Sequence, residues 1–276
     1  MWYNFLIQMK CYTANLSNTQ EKGGVLYGTV WLNFLKNNGR AIRSEEELQK
    51  ISTQEADNAY KEMMQSVLAA ELKNHDFVKY KSTSYVRLSQ IHNLEIINLQ
   101  KEAYGSKTFT VNVAIMPLYI KSDYIILSLG ERLGTFSDYK RDYWWDFQNR
   151  TIAESSVKEV TGVIIENVLP WFNSFDSFDK MLSFVLSESE YNRFDLRKRY
   201  EYACYVALAM GEHKKAVAYY NYFKTECEKV NHPSSETMIN MLSLAISTIE
   251  NETGGYNEQQ IQETSQALKL SQKLFA

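Results

Sequence analysis

The apolar residues change period near Phe77, and that change limits the fold more than any other feature of the chain. Upstream, Tyr60, Met63, Met64, Val67, Leu68 and Leu72 recur at helical spacing. From Phe77 to Tyr119 the spacing becomes two. Phe109, Val111, Val113 and Ile115 alternate with Thr110, Asn112 and Ala114, as in a strand with one buried face. Strands are expected at Phe77–Lys81, Ser84–Ser89, Leu94–Lys101 and Phe109–Ile115, with a further one at Tyr124–Leu129. The links between them, Ile91-His92-Asn93 and Tyr104-Gly105-Ser106-Lys107, are hairpin-sized. A parallel pair needs a crossover of about a dozen residues or more, so the strands must form an antiparallel meander.

Helical periods flank this stretch. A loop at 13–24 precedes a helix at Val25–Asn37 that ends on Asn37-Asn38-Gly39. Ser44 with Glu47, and Ser52 with Glu55, have the capping-box spacing, the second opening a helix to about Lys73. Residues 130–150 read as irregular. A helix from Ile152 to Val168 is expected to stop at Pro170. Beyond it only helices follow: from Phe178 to Leu186, Phe194 to Met210, His213 to Lys229, Ser235 to Glu250 and Asn257 to Phe275.

At 276 residues the chain has room for two modest domains at about 150 residues each. The division read here is 1–50, a helical segment packing on the body; 51–173, an α+β domain; and 174–276, a helical region. The fold class is therefore α+β, an antiparallel β-meander packed with helices and followed by an all-helical C-terminal region.

Charge excludes some function classes. Lys and Arg number 30 against 33 Asp and Glu, a net of −3, and the two signs are interleaved. A nucleic-acid binder presents a basic stripe, and none is visible. No run approaches the ~18 apolar residues that span a bilayer. Met1 to Met9 lack a basic leader and a cleavage site, so no signal peptide is expected. The three cysteines, Cys11, Cys204 and Cys227, show no CxxC spacing, which suits a reducing cytoplasm rather than a disulfide framework or zinc. Cys204 and Cys227 lie on the apolar sides of their helices and are expected to be buried.

Chemistry-bearing motifs are sparse. His75, His92, His213 and His232 have no partner at a ligand spacing, and Gly23-Gly24 and Gly254-Gly255 are isolated pairs rather than phosphate loops. Asp138, Asp142 and Asp146 are spaced by four, but Tyr139, Trp144 and Trp145 interrupt any helix between them. No cofactor and no metal are expected.

The distinctive feature is polar residues on strands. A three-residue loop at 104–106 sets Asn98 opposite Asn112 and Gln100 opposite Thr110. An even-numbered loop would invert the pattern. The first register keeps Phe109, Val111 and Val113 with Ile97 and Leu99 on one apolar face under the long helix. The other face then carries amides and hydroxyls, with Arg87 as a candidate member, and is rimmed by the aromatic loop at Trp144-Trp145. Two adjacent tryptophans on an extended chain point opposite ways, so one faces in and one out.

Several of these short segments, in order, resemble a known family: Ile96-Ile97-Asn98-Leu99-Gln100-Lys101, Phe109-Thr110-Val111-Asn112-Val113, Arg132-Leu133-Gly134, Trp144-Trp145 and Leu169-Pro170-Trp171. Over residues of about 59–172 the chain is similar to the bacterial domain of unknown function 4304. The resemblance implies a cytoplasmic α+β module and carries no functional residue. Such modules sit in bacteria that trade toxins and immunity proteins, which implies an immunity-like role. Tyr200, Ala203, Cys204, Gly211, Ala216 and Tyr220 resemble one degenerate tetratricopeptide helix pair. The function expected is a non-catalytic protein-binding module of the bacterial cytoplasm, binding through Asn98, Gln100, Asn112, Arg132, Trp144 and Trp145. The alternative is an enzyme using the polar sheet face and the loop holding Arg132 and Asp142.

Overall fold

The structure is a computed structural model that describes residues 45–103, 105–127, 129–189, 191–192, 194–230, 235–251, 256–271 and 274–275. The loop at 13–24, the helix at 25–37, Gly39, Ser44, Cys11, Tyr104, His232 and Gly254-Gly255 lie outside the described residues.

Helix α1 (Glu45–Met63) passes through a π turn (Met64–Leu68) into α2 (Ala69–Asn74). Ser52, expected as a cap, is instead inside α1, because helical hydrogen bonding already runs from Glu45. Strands β1 (Val78–Tyr80), β2 (Ser84–Leu88), β3 (Asn93–Lys101), β4 (Thr108–Pro117) and β5 (Leu129–Arg132) then form an antiparallel meander in sequence order. A one-turn helix α3 (Leu133–Phe136) and strand β6 (Trp145–Asp146) follow, β6 pairing with β4. Helix α4 (Arg150–Val163), a second π turn (Ile164–Val168) and α5 (Leu169–Asn173) return across the sheet. The remainder is helical: α6 (Phe178–Leu186), α7 (Leu196–Ala209), α8 (His213–Val230), α9 (Ser235–Asn251) and α10 (Tyr256–Leu268).

Three boundaries differ from the sequence expectation for identifiable reasons. The fifth strand is Leu129–Arg132 rather than Tyr124–Leu129. The amide of Leu118 donates to His92 on the β3 side, so the Pro117 nitrogen faces β5 and has no hydrogen to give. Pairing therefore begins only at Ile115↔Leu129, and Tyr124 is left exposed in a bend. Pro170 does not stop its helix. The π turn before it places the Leu169 amide on Ile164 through an i→i+5 bond, and the extra residue puts Pro170 where a missing donor is tolerated. The last helix ends at Leu268, where Lys269 turns to a positive φ of 56°.

Glu55–Ala276 is one compact unit, and Met1–Gln54 is another. Within Glu55–Ala276 the expected border near residue 173 is a change of secondary structure only. One apolar cluster joins Leu68, Leu72, Ile97, Val111, Val157, Ile164 and Phe172 to Cys204, Phe223 and Leu242 on the C-terminal helices. The β3–β4 register follows the three-residue loop, with Asn98↔Asn112, Gln100↔Thr110 and Ile97↔Val113. The odd-numbered apolar residues Ile97, Leu99, Phe109, Val111, Val113 and Ile115 of β3 and β4 join this core.

The opposite face is only partly polar. Val86, Leu94, Ile96, Ala114 and Met116 form a second apolar cluster with Leu268 of α10. Only the end of the face toward the β3–β4 hairpin keeps its amides. Arg87, placed on that face in the sequence reading, is instead opposite Glu95 on the helix-covered face. Its Nε donates to Glu95 Oε2 at 2.6 Å, Nη1 to the His75 carbonyl at 3.3 Å, and Nη2 to Asn173 Oδ1 at 3.1 Å. One guanidinium thus ties the sheet to the ends of both π-interrupted helices.

Helices α7 and α8 form an antiparallel hairpin. Gly211, with φ of 72°, ends α7. Its amide bonds to Leu208 and that of Glu212 to Ala207, a Schellman closure that needs the left-handed residue in the middle. Cys204 and Cys227 are both buried. Burial pushes the Cys204 thiol up to about 12, and burial also raises that of Cys227. The reactive thiolate is therefore scarce at neutral pH. Labelling with a thiol reagent at pH 8 is expected to be slow at both in the native protein and rapid in denaturant. Fast native labelling at either position contradicts the packing of this hairpin.

Candidate functional site

Strand register assembles a polar row across four strands. Ser84 pairs with Asn98, Asn98 with Asn112, and Asn112 with Arg132, so all four share one face. The amides are joined head to tail. Asn98 Nδ2 donates to Ser84 Oγ at 2.9 Å and to Thr83 Oγ1 at 3.4 Å. Asn112 Nδ2 donates to Asn98 Oδ1 at 3.1 Å and to Gln100 Oε1 at 3.3 Å. Among the described residues this leaves the Asn112 oxygen and the Gln100 NH2 without partners. Asn98, Asn112 and Arg132 are half-buried, and Gln100 is exposed.

The far end of the row is built by the loop after β5. The Arg132 guanidinium lies over the Trp144 ring, 5.0 Å from its centroid, and its Nη1 contacts both oxygens of Asp142 at 3.0 and 2.9 Å. Two backbone features put Trp144 there. The first is β6, whose pairing of Phe109 with Trp145 directs the Trp145 side chain into the core, so strand alternation sends Trp144 to the polar face. The second is Thr110, buried beside the row, whose hydroxyl donates to the Tyr143 carbonyl at 2.9 Å.

Gly134 makes the close loop possible. A Cβ at that position would stand 2.2 Å from the Arg141 carbonyl oxygen and 2.8 Å from the Tyr143 amide nitrogen. The two chain segments can approach only because residue 134 has no side chain.

The structure therefore brings Asn98, Gln100, Asn112, Arg132 and Trp144 together on one face, and it places Trp145 elsewhere. Trp145 is 1% exposed and packs against Tyr143 and Phe109, so it cannot take part in the face it was read to rim. Ser84 belongs to the row and was missed in the sequence. Its signal was available, since an antiparallel pairing of β2 with β3 aligns it with Asn98. Glu95 was also missed. It is a charged residue in the apolar run Leu94-Glu95-Ile96-Ile97 of a strand covered on both faces, and it is 3% exposed. Burial raises its pKa, and the Arg87 charge opposes that shift.

Among the described residues no group of three or more His, Cys, Asp or Glu side chains is placed to hold a metal ion. None of the described helices is long and apolar enough to cross a membrane.

Residues 68–174 match the family described as Domain of unknown function (DUF4304). The matched segment contains the sheet, the loop and the second π turn, and hence every residue of the polar row. No curated protein and no solved structure matches the chain.

Because Gly134 sets the loop, Gly134→Ala is expected to cost about 1–3 kcal/mol of stability by overpacking. It should also change the environment of Trp144, read as a shift in tryptophan emission. A variant as stable as the parent, with unchanged emission, contradicts this role.

Proposed function

We propose that the protein is a non-catalytic binding module whose partner, another protein, docks on the face formed by Asn98, Gln100, Asn112, Arg132 and Trp144. The observation that carries the reading is the hydrogen-bonded row itself. Its members are held in place by one another and by the strand register, yet an amide oxygen, an amide NH2 and part of an indole ring remain available. Side chains already fixed by their neighbours lose little entropy when a partner arrives. Tryptophan and arginine are also the residue types that most often anchor protein interfaces. Unpaired amides cost about 1–3 kcal/mol when buried, so a partner covering this face must supply matching polar groups. That requirement is a source of specificity.

An enzyme on the same face would need a carboxylate available to take a proton. Both oxygens of Asp142 are engaged by Arg132, which favours binding over acid–base chemistry at this place. The free, buried thiols of Cys204 and Cys227 support a cytoplasmic setting. The α7–α8 hairpin, whose Ala203, Cys204 and Ala216 are fully buried, supports reading it as a repeat-like helix pair. An immunity-like role in bacteria is one form this function would take.

The test begins with affinity capture from the native host and identification of the protein that co-purifies. Asn98→Ala, Asn112→Ala and Trp144→Ala are then compared with the parent. At least one is expected to weaken binding tenfold or more, about 1.4 kcal/mol, while the melting temperature stays within about 2 °C. Unchanged affinity in all three variants, or affinity lost only together with stability, removes this face as the partner surface.

A further inference from the structure

The strands of the sheet are not equally partnered. Strand β4 has β3 on one side and β5 with β6 on the other, whereas β1 pairs with β2 alone. The hydrogen-bonding phase of the sheet shows which groups this leaves open. Leu99 donates its amide to the Thr83 carbonyl and Ser89 donates its amide to Asn93, so the odd-numbered residues of β2 bond toward β3. Ser84 and Val86 therefore bond toward β1, where they face Tyr80 and Val78. Lys79, between these two, points its N–H and C=O away from the sheet. The Phe77 amide, farther along the same edge, is closed by the Leu72 carbonyl of α2 at 3.0 Å. No such bond closes Lys79 among the described residues.

A cleft of about 550 Å³ runs beside this edge, on the side of the sheet covered by α10. Val78, Tyr80 and Leu274, all half-buried, supply apolar surface to it. Lys79, Lys81 and Lys269 are exposed members of its lining, and none has an ion-pair partner among the described residues. The carboxylate in the lining is Asp123, so three cations stand against one anion in a chain whose net charge is −3. Lysine on an open edge repels a second copy of that edge. It attracts a strand of opposite charge.

Strand alternation orders these features. Lys79 is paired with Tyr85, whose ring enters the helix-covered core. A residue bonded to Lys79 from outside would lie on that same side, and its two neighbours would turn to the cleft. We propose that β1 is a docking edge for an extended acidic segment of another protein, added as an antiparallel strand. A carboxylate of that segment lies beside Lys79, and the apolar residues flanking it enter the cleft. Backbone bonds to Lys79 supply the attachment, and the lysines with the apolar cleft select the sequence.

The probe is the acetylated, amidated peptide Thr-Glu-Val-Glu-Val-Thr, titrated into the full chain and followed by amide chemical shifts. The expected result is a saturable shift centred on residues 78–81 and on Lys269. The charge-reversed peptide Thr-Lys-Val-Lys-Val-Thr should bind at least about tenfold more weakly. So should the acidic peptide methylated on both Glu nitrogens, which keeps its charges but cannot donate to the Lys79 carbonyl. Lys79→Glu, at an exposed position, should weaken the acidic peptide to a similar degree. Absence of a shift with the acidic peptide overturns the inference. Equal binding of the lysine peptide removes the selection by charge, and equal binding of the methylated peptide means that no strand is added. Either result, or undiminished binding to Lys79→Glu, also overturns it. Asn112→Ala should leave binding of the acidic peptide unchanged. Weakened binding there would place the peptide on the amide row instead and remove β1 as the docking edge.

Discussion

The pairing of β3 with β4 is the constraint on which the rest of the structure depends. Nine residue pairs, from Asn93↔Pro117 to Lys101↔Phe109, hold the two longest strands in one register. Side chains alternate with period two, so a slip by one residue would turn Ile97, Leu99, Val111 and Val113 to the other face. It would also carry Asn98 and Asn112 into the core. The burial of α1, α2, α4 and α5 against the sheet and the alignment of the polar row are therefore consequences of one hairpin. Asn98, Gln100, Asn112 and Arg132 of this site stand on strands, and Trp144 stands on the loop just before β6.

The two faces of the sheet are used differently along their length. The helix-covered face is mainly apolar, and its charged pair Arg87 and Glu95 binds the sheet to the ends of α2 and α5. The opposite face is divided. Near the β2–β3 turn it is apolar and covered by Leu268 of α10, and toward the β3–β4 hairpin it is polar and holds the amide row. The division follows the sequence of β3 directly. Leu94 and Ile96 lie at one end of that face, and Asn98 and Gln100 at the other.

What the sequence made legible was whatever short-range periodicity and loop length determine. The meander, its register, the C-terminal helices and the buried cysteines all follow from spacing, and five of the six residues proposed for the site converge. What it hid depends on contacts between distant residues. The inward turn of Trp145 is decided by the pairing of β6 with β4, a strand of two residues that no local pattern announces. The position of Arg87 required the register of β2, which was left open. The cover that α10 lays over Ile96 joins positions separated by more than 150 residues in the chain. Pro170 was misread because a proline stops an ordinary α-helix, whereas this one follows a wider turn.

That wider turn occurs twice, at Met64–Leu68 and at Ile164–Val168, once in each helix packed on the sheet. In both, the amide after the turn reaches back five residues, from Ala69 to Met64 and from Leu169 to Ile164. Each helix consequently carries one residue more than regular α-helical bonding across that stretch requires. The added residue advances the phase of everything downstream by about 100°, which is the rotation per residue of a helix with 3.6 residues per turn. Relatives sharing this sheet can therefore differ by a single-residue insertion or deletion at these two places. Their core-facing positions would then fall out of step on either side of it. An alignment that forbids a gap inside a helix would misassign the inward face of α2 and α5 in such sequences.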